Sequence, residues 1–225
     1  MTTRLYLARH GATQLTAEDR FSGGDGVELS DDGRWQATRL GERLRDQHID
    51  AIYCSPYTRT RDTARLIAEQ LDDAREIATR DGLREISHGH WEGLARREVE
   101  SRFADEYTAW ESDPFTFAPE GGESGVAVLA RALPVLRELV TAHPDQRVLV
   151  VSHKATIRLL LCGLLGVDAR GYRDRFDQAP ACLNVLDFRD PVRARLMLFN
   201  DTSHYVGQPR HAEQNLSRWW DRGGA

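Results

Sequence analysis

The sequence predicts an α/β fold, a doubly wound and mostly parallel sheet with helices on both faces. Three observations carry this reading. Short runs at 5–8, 49–53 and 147–151 are mainly apolar rather than alternating, broken only by Asp50 and opened by Arg147, as in strands covered on both sides. Stretches with helical periodicity follow them, and strand–helix alternation builds parallel sheets. Each run then gives way to polar or cationic residues, where the carboxyl ends of such strands open on a ligand crevice.

The elements follow in chain order. Leu5-Tyr6-Leu7-Ala8 is the first strand. A helix over 30–46 starts at Ser30-Asp31-Asp32, where a hydroxyl caps and carboxylates complement the first turn. The second strand, 49–53, ends at Ser55-Pro56, and a helix over 58–71 follows. Residues 75–79 form a third strand, and 94–112 a polar, partly helical insertion. Asp113-Pro114 and Pro119-Glu120-Gly121-Gly122 bracket a loop placed to act as a lid. A long helix over 123–142 carries Pro134, which is expected to perturb it. Strand 147–151 leads into a helix over 155–165. Strands 183–188 and 194–199 close the chain as a pair joined at Asp190-Pro191. The expected organisation is one domain over 1–225 with an insertion at about 94–122.

The 225 residues are 40% hydrophobic and 29% charged, an ordinary globular composition, and the net charge of −5 argues against general nucleic-acid or anionic-membrane binding. Cys54, Cys162 and Cys182 are odd in number and widely spaced, which fits neither a disulfide framework nor a zinc site. The N-terminus lacks the layout of a signal peptide, and the apolar run 159–167 is too short to span a bilayer, so a cytoplasmic location is expected.

Function is written at the strand ends. Arg9-His10-Gly11 follows the first strand, Ser55 and Arg59 the second, and Ser152-His153 the strand at 147–151. In a parallel sheet these ends lie along one edge and converge on one crevice. Leu83-Arg84-Glu85 adds a carboxylate. Two arginines, two histidines and one carboxylate suit phosphoryl transfer without a metal. The guanidiniums neutralise the equatorial oxygens, one imidazole accepts the phosphoryl group, and the carboxyl group moves the proton. Nearby arginines favour the neutral imidazole that a nucleophile needs.

Arg9-His10-Gly11, Ser55-Pro56-Tyr57-Thr58-Arg59, Leu83-Arg84-Glu85 with Gly89-His90-Trp91-Glu92-Gly93, Gly121-Gly122-Glu123-Ser124 and Val151-Ser152-His153 occur in this order. Together they resemble the histidine phosphatase superfamily, the phosphoglycerate-mutase-like family. The resemblance implies that His10 is the phosphorylated nucleophile, that Arg9, Arg59 and His153 hold the phosphoryl group, and that Glu85 is the proton donor. It implies no metal or cofactor and a small phosphorylated metabolite as substrate. Thr16 stands where the family usually has a phosphate-contacting asparagine, and Ser22-Gly23 where it has a substrate-contacting polar–glycine pair. The sequence Gly26-Val27-Glu28-Leu29 replaces a proline-containing stretch, so a different loop shape is expected there. Lys154 replaces the glycine usual after the second histidine, and is expected to add a substrate-selecting positive charge at the pocket rim.

The expected activity is a metal-independent phosphatase acting through a phosphohistidine. Two alternatives are a phosphoglycerate mutase-type phosphotransferase and a non-catalytic phosphate-binding module. The short insertion, with Arg96-Arg97 as its only adjacent arginine pair, argues against the mutase, and the intact residue set argues against the module. A cysteine phosphatase is excluded by register, since Thr60 rather than arginine stands six residues after Cys54. No Walker-type loop is present. His88 and His90 are too few for a metal site, and Trp91, Trp110, Trp219 and Trp220 are expected to pack rather than bind substrate. Phe103, Tyr107, Trp110, Phe115 and Phe117 either wall an apolar pocket or fasten the insertion to the domain.

Overall fold

The computed structural model describes residues 2–17, 20–73 and 75–205. Six strands form one sheet: β1 (Thr3–Arg9), β2 (Ala51–Cys54), β3 (Ile77–Thr79), β4 (Arg147–Ser152), β5 (Leu183–Phe188) and β6 (Ala194–Asp201). Their order is β3-β2-β4-β1-β5-β6. The pairings among β1, β2, β3 and β4 are parallel, while β5 runs antiparallel to both β1 and β6.

Helices α2 (Asp31–Leu44) and α3 (Thr58–Ala68) cover one face, and α6 (Gly125–Ala142) and α7 (Lys154–Leu165) the other. Strand alternation divides the core between them. Leu5, Leu7, Val148 and Val150 pack with Leu136, Leu139, Ile157, Leu160 and Leu161 of α6 and α7. Tyr6, Ala8, Leu149 and Val151 pack with Leu40, Leu44, Ala64 and Ile67 of α2 and α3. The mainly apolar runs therefore reflect burial on both faces.

Several boundaries differ from the sequence reading. Ser30 is the cap of α2 and accepts from Gly33 N–H, and a 3-10 turn at Arg45–Gln47 follows the helix. The second strand is shifted to Ala51–Cys54, and α3 stops at Ala68. Ser124, not Glu123, begins α6 as its cap. Pro134 sits inside α6 without ending it, which packing on the sheet makes possible. Two one-turn helices had no sequence signal: α1 (Gln14–Ala17) and α8 (Tyr172–Arg175).

The insertion folds as α4 (Arg96–Arg102) and α5 (Ala104–Ser112). Its aromatic residues fasten it to the segments that carry Phe21 and Trp91. Trp91, Val99, Tyr107 and Trp110 are buried with Phe21, and Phe103 and Phe117 pack against them. The segment leading from α5 to α6 is pinned by backbone bonds from His90 N–H to Glu120 and from Glu123 N–H to Ser87. Trp219 and Trp220 lie outside the described residues.

Candidate active site

Strand register brings the chemistry together. Arg9 at the end of β1 pairs with Ser152 at the end of β4, and Cys54 at the end of β2 pairs with Val151. The next residues, His10, His153 and Ser55, therefore leave the sheet at one level. The His10 N–H donates to Ser152 O at 3.0 Å, and Ala181 N–H donates to His10 O at 3.0 Å, so the strand end is held from both sides.

The His10 loop docks on the start of α2 through two glycines. A Cβ on Gly11 would stand 2.3 Å from Gly33 O, and one on Gly33 would stand 2.0 Å from Ala12 O. Gly11 N–H donates to Thr63 Oγ1 at 3.1 Å, and Ala12 N–H to Gln36 Oε1 at 3.0 Å.

His10 is buried, and its Nδ1 lies 2.7 Å from Gly11 O. A carbonyl only accepts, so Nδ1 carries the proton and Nε2 keeps its lone pair. The cationic form is held well below the usual histidine range, first by burial and then by Arg59 and Arg9. Removal from water, more than the neighbouring arginines expected from the sequence, is the larger cause.

His153 is fully buried, with its ring 5.3 Å from that of His10. It is kept neutral by burial, then by Arg59, His10 and Arg9. Its Nε2 lies 2.8 Å from Ser55 Oγ, and its Nδ1 has no hydrogen-bond partner among the described residues. A Ser55 hydroxyl that donates to Nε2 leaves a proton on Nδ1.

Arg9 and Arg59 are 7% and 2% exposed. Arg9 Nη1 donates to Gln178 O at 2.6 Å, and Arg59 Nη1 to Gly24 O at 2.6 Å. Neither guanidinium has a carboxylate within salt-bridge distance among the described residues. A buried guanidinium without a directly paired carboxylate is costly, so the two side chains favour an anion beside them.

The Glu85 carboxylate sits at the start of α7. Its Oε1 accepts from Ile86 N–H, Thr156 N–H and the Thr156 hydroxyl, and its Oε2 from Ala155 N–H. The segment carrying it is anchored by Ser152 Oγ to Leu83 O and by Arg131 to the carbonyls of Gly82, Arg84 and Glu85. Glu123 holds Arg131 in a two-point ion pair.

Gly23 lies beside this site. Its N–H donates to Glu92 Oε2 at 2.6 Å, and a Cβ there would stand 2.1 Å from Ile86 O. Gly24, next in the chain, supplies the carbonyl that accepts from Arg59. Ser22 is half-buried in the same turn. Thr16 lies in α1, but its side chain falls outside the described residues. Lys154 is half-buried at the first position of α7, 3.8 Å from Asp177. His90 is occupied elsewhere, bonded to Glu106 at 2.9 Å and stacked on Phe103.

Ser55, Gln178, Glu92 and Arg131 complete the site's framework, and sequence reasoning assigned them no role in it. Ser55 was legible, since it follows a strand as His10 and His153 do. Gln178 was not, because its carbonyl is placed by a buried amide pair with Asn184, which itself donates to Leu7 O on β1.

The sequence matches the histidine phosphatase superfamily (branch 1) over residues 5–202. The chain belongs to this superfamily. Among its relatives is phosphoserine phosphatase 1 of Hydrogenobacter thermophilus, 36% identical over 73% of this chain and 77% of that protein. The adenosylcobalamin/alpha-ribazole phosphatase of Salmonella typhimurium is 33% identical over 82% of this chain and 90% of that protein. The solved structure of a mycobacterial glucosyl-3-phosphoglycerate phosphatase superposes with a TM-score of 0.80 at 30% identity, covering 89% of this chain and 99% of that one.

A pH dependence of stability follows from the buried imidazoles of this histidine phosphatase. His10, His88 and His153 are held neutral chiefly by burial, and His204 is pushed down to about 4. Unfolded histidines take up protons below about 6.5. Between about pH 6.5 and 4 the unfolded state therefore binds more protons than the folded state, and stability falls as pH falls. The urea midpoint at pH 5 is expected below that at pH 7.5. Equal midpoints would mean that these histidines titrate normally in the folded protein.

Proposed function

We propose that this chain is a metal-independent phosphomonoesterase that hydrolyses a small phosphorylated metabolite through phospho-His10. The observation that carries this reading is the pair of buried guanidiniums, Arg9 and Arg59, without carboxylate partners in salt-bridge range among the described residues and close to a neutral imidazole whose free nitrogen is Nε2.

In the first step Nε2 of His10 attacks phosphorus, the ester P–O bond breaks, and Glu85 protonates the leaving oxygen. Arg9, Arg59 and the Nδ1–H of His153 neutralise the equatorial oxygens. In the second step Glu85 takes a proton from water, the water oxygen attacks phosphorus, and the P–N bond breaks. Inorganic phosphate leaves and neutral His10 returns. Both arginines supply the charge neutralisation that a metal would otherwise provide.

Ser22, Gly23, Thr16 and Lys154 are assigned to substrate binding in this reading. Gly23 serves by backbone, since its neighbour Gly24 positions Arg59. The free, buried thiols Cys54, Cys162 and Cys182 fit a reducing, cytoplasmic setting. No helix among the described residues is long and apolar enough to cross a membrane. One domain over 1–225, with the insertion at 94–122 fastened by its aromatic residues, completes the proposal.

The test is phosphate release from a panel of phosphomonoesters in excess EDTA. The expected result is turnover that chelation leaves intact. Turnover abolished by EDTA and restored by a divalent cation would overturn the metal-independent mechanism. Exchange between 3- and 2-phosphoglycerate without phosphate release would assign a mutase instead.

A further inference from the structure

Lys154 and Arg158 lie one turn apart on α7 and share Asp177. Arg158 Nη2 donates to Asp177 Oδ1 at 3.2 Å, and Lys154 Nζ is 3.8 Å from the same oxygen. The ammonium therefore makes no short hydrogen bond among the described residues. Its side chain is 28% exposed and that of Asp177 is 37% exposed, so the cluster opens to solvent, whereas Arg158 at 7% forms its floor. The Nε atoms of Arg158 and Arg9 are both buried without a hydrogen-bond partner among the described residues.

The cluster adjoins the phosphoryl pocket through the chain itself. Lys154 follows His153, and Asp177 precedes Gln178, whose carbonyl accepts from Arg9. We infer that Lys154, Arg158 and Asp177 form a second anion subsite, which takes a carboxylate carried by the substrate beside its phosphate.

Charge count selects the carboxylate. With Lys154 protonated, two cations and one carboxylate leave one positive charge, which a monoanion balances; a second phosphate dianion would leave the cluster negative. Lys154 has donors to give, because its present partner is too distant for a hydrogen bond. Burial, Arg158 and Arg9 pull the ammonium down to about 7, so an arriving anion both gains a partner and secures the proton. The inference rests on the phosphatase reading for the position of the phosphoryl group, and names its substrate class as phosphorylated carboxylic acids.

The test compares 3-phosphoglycerate with glycerol 3-phosphate, which differ only by carboxylate against hydroxymethyl. The wild-type chain is expected to prefer 3-phosphoglycerate in kcat/KM. Lys154→Ala is expected to lower that ratio about tenfold, the scale of one charge-assisted hydrogen bond, chiefly through KM. Lys154→Arg is expected to retain most of the preference. A wild-type enzyme without the preference, or a Lys154→Ala ratio equal to wild type, would overturn the subsite. Phosphate release from neither compound would count against the phosphatase reading instead. Calorimetric binding of the same two compounds then decides the subsite: a carboxylate preference that Lys154→Ala removes upholds it, and equal binding overturns it.

Discussion

His10→Ala is expected to lower phosphate release by about 10⁴-fold or more, roughly 5.5 kcal/mol of lost transition-state stabilisation. In the proposed mechanism the imidazole is the nucleophile, and its Nε2 is left unprotonated by the bond from Nδ1–H to Gly11 O. Alanine removes this nitrogen without changing the charge of the pocket, because the imidazole it replaces is neutral. Binding of inorganic phosphate by Arg9 and Arg59 is therefore expected to survive in the variant, which separates loss of chemistry from loss of fold. Quenching the wild-type reaction in base and mapping the labelled peptide is expected to place the phosphoryl group on His10. Turnover within about tenfold of wild type in His10→Ala would remove His10 as the nucleophile.

Glu85→Gln is expected to slow phosphorylation by an alkyl phosphate by about 10²–10⁴-fold, the usual range for a positioned general acid. The effect depends on the leaving group. An alkoxide needs a proton as it departs, whereas p-nitrophenolate leaves without one. The same variant, mixed with p-nitrophenyl phosphate, is expected to give a burst of nitrophenol and then slow turnover, because the second step still lacks its base. Equal slowing of the first step with both substrates would reassign Glu85 to a purely structural part. That part is real, since its oxygens accept from Ala155, Thr156 and Ile86, so melting curves of the variant belong beside the kinetics. Glutamine retains one acceptor oxygen but turns an amide toward donors, and modest destabilisation is expected.

The strands with mainly apolar runs were readable from sequence because they are buried on both faces, and burial leaves a compositional mark. Their polar exits were readable for the same reason: Arg9-His10, Ser55 and His153 stand where apolar sequence stops. Less was visible at β3, which keeps only Ile77–Thr79 of the expected 75–79, and at α8, a single turn without periodicity. The insertion's aromatic residues were ambiguous in sequence, since a pocket wall and a packing cluster use the same side chains. Tyr107 and Trp110 are buried with Phe21 and Trp91, Phe103 and Phe117 pack against them, and Phe115 packs against Ile86, Val128 and Leu159, which favours packing.

The chain of residue types already contained the fold class, the strand ends and the five groups Arg9, His10, Arg59, Glu85 and His153. These are local properties: periodicity, the abrupt end of an apolar run, and the chemistry of a side chain. Tertiary structure alone decided which nitrogen of His10 is free, that Ser55 meets His153, that Gln178 holds Arg9, and that Lys154 shares Asp177 with Arg158. The physical reason is distance along the chain. Ser55 and His153 are 98 positions apart, and Arg9 and Gln178 are 169 apart. A hydrogen bond of that span leaves no trace in local composition, and exists only once the parallel register has brought the strand ends level.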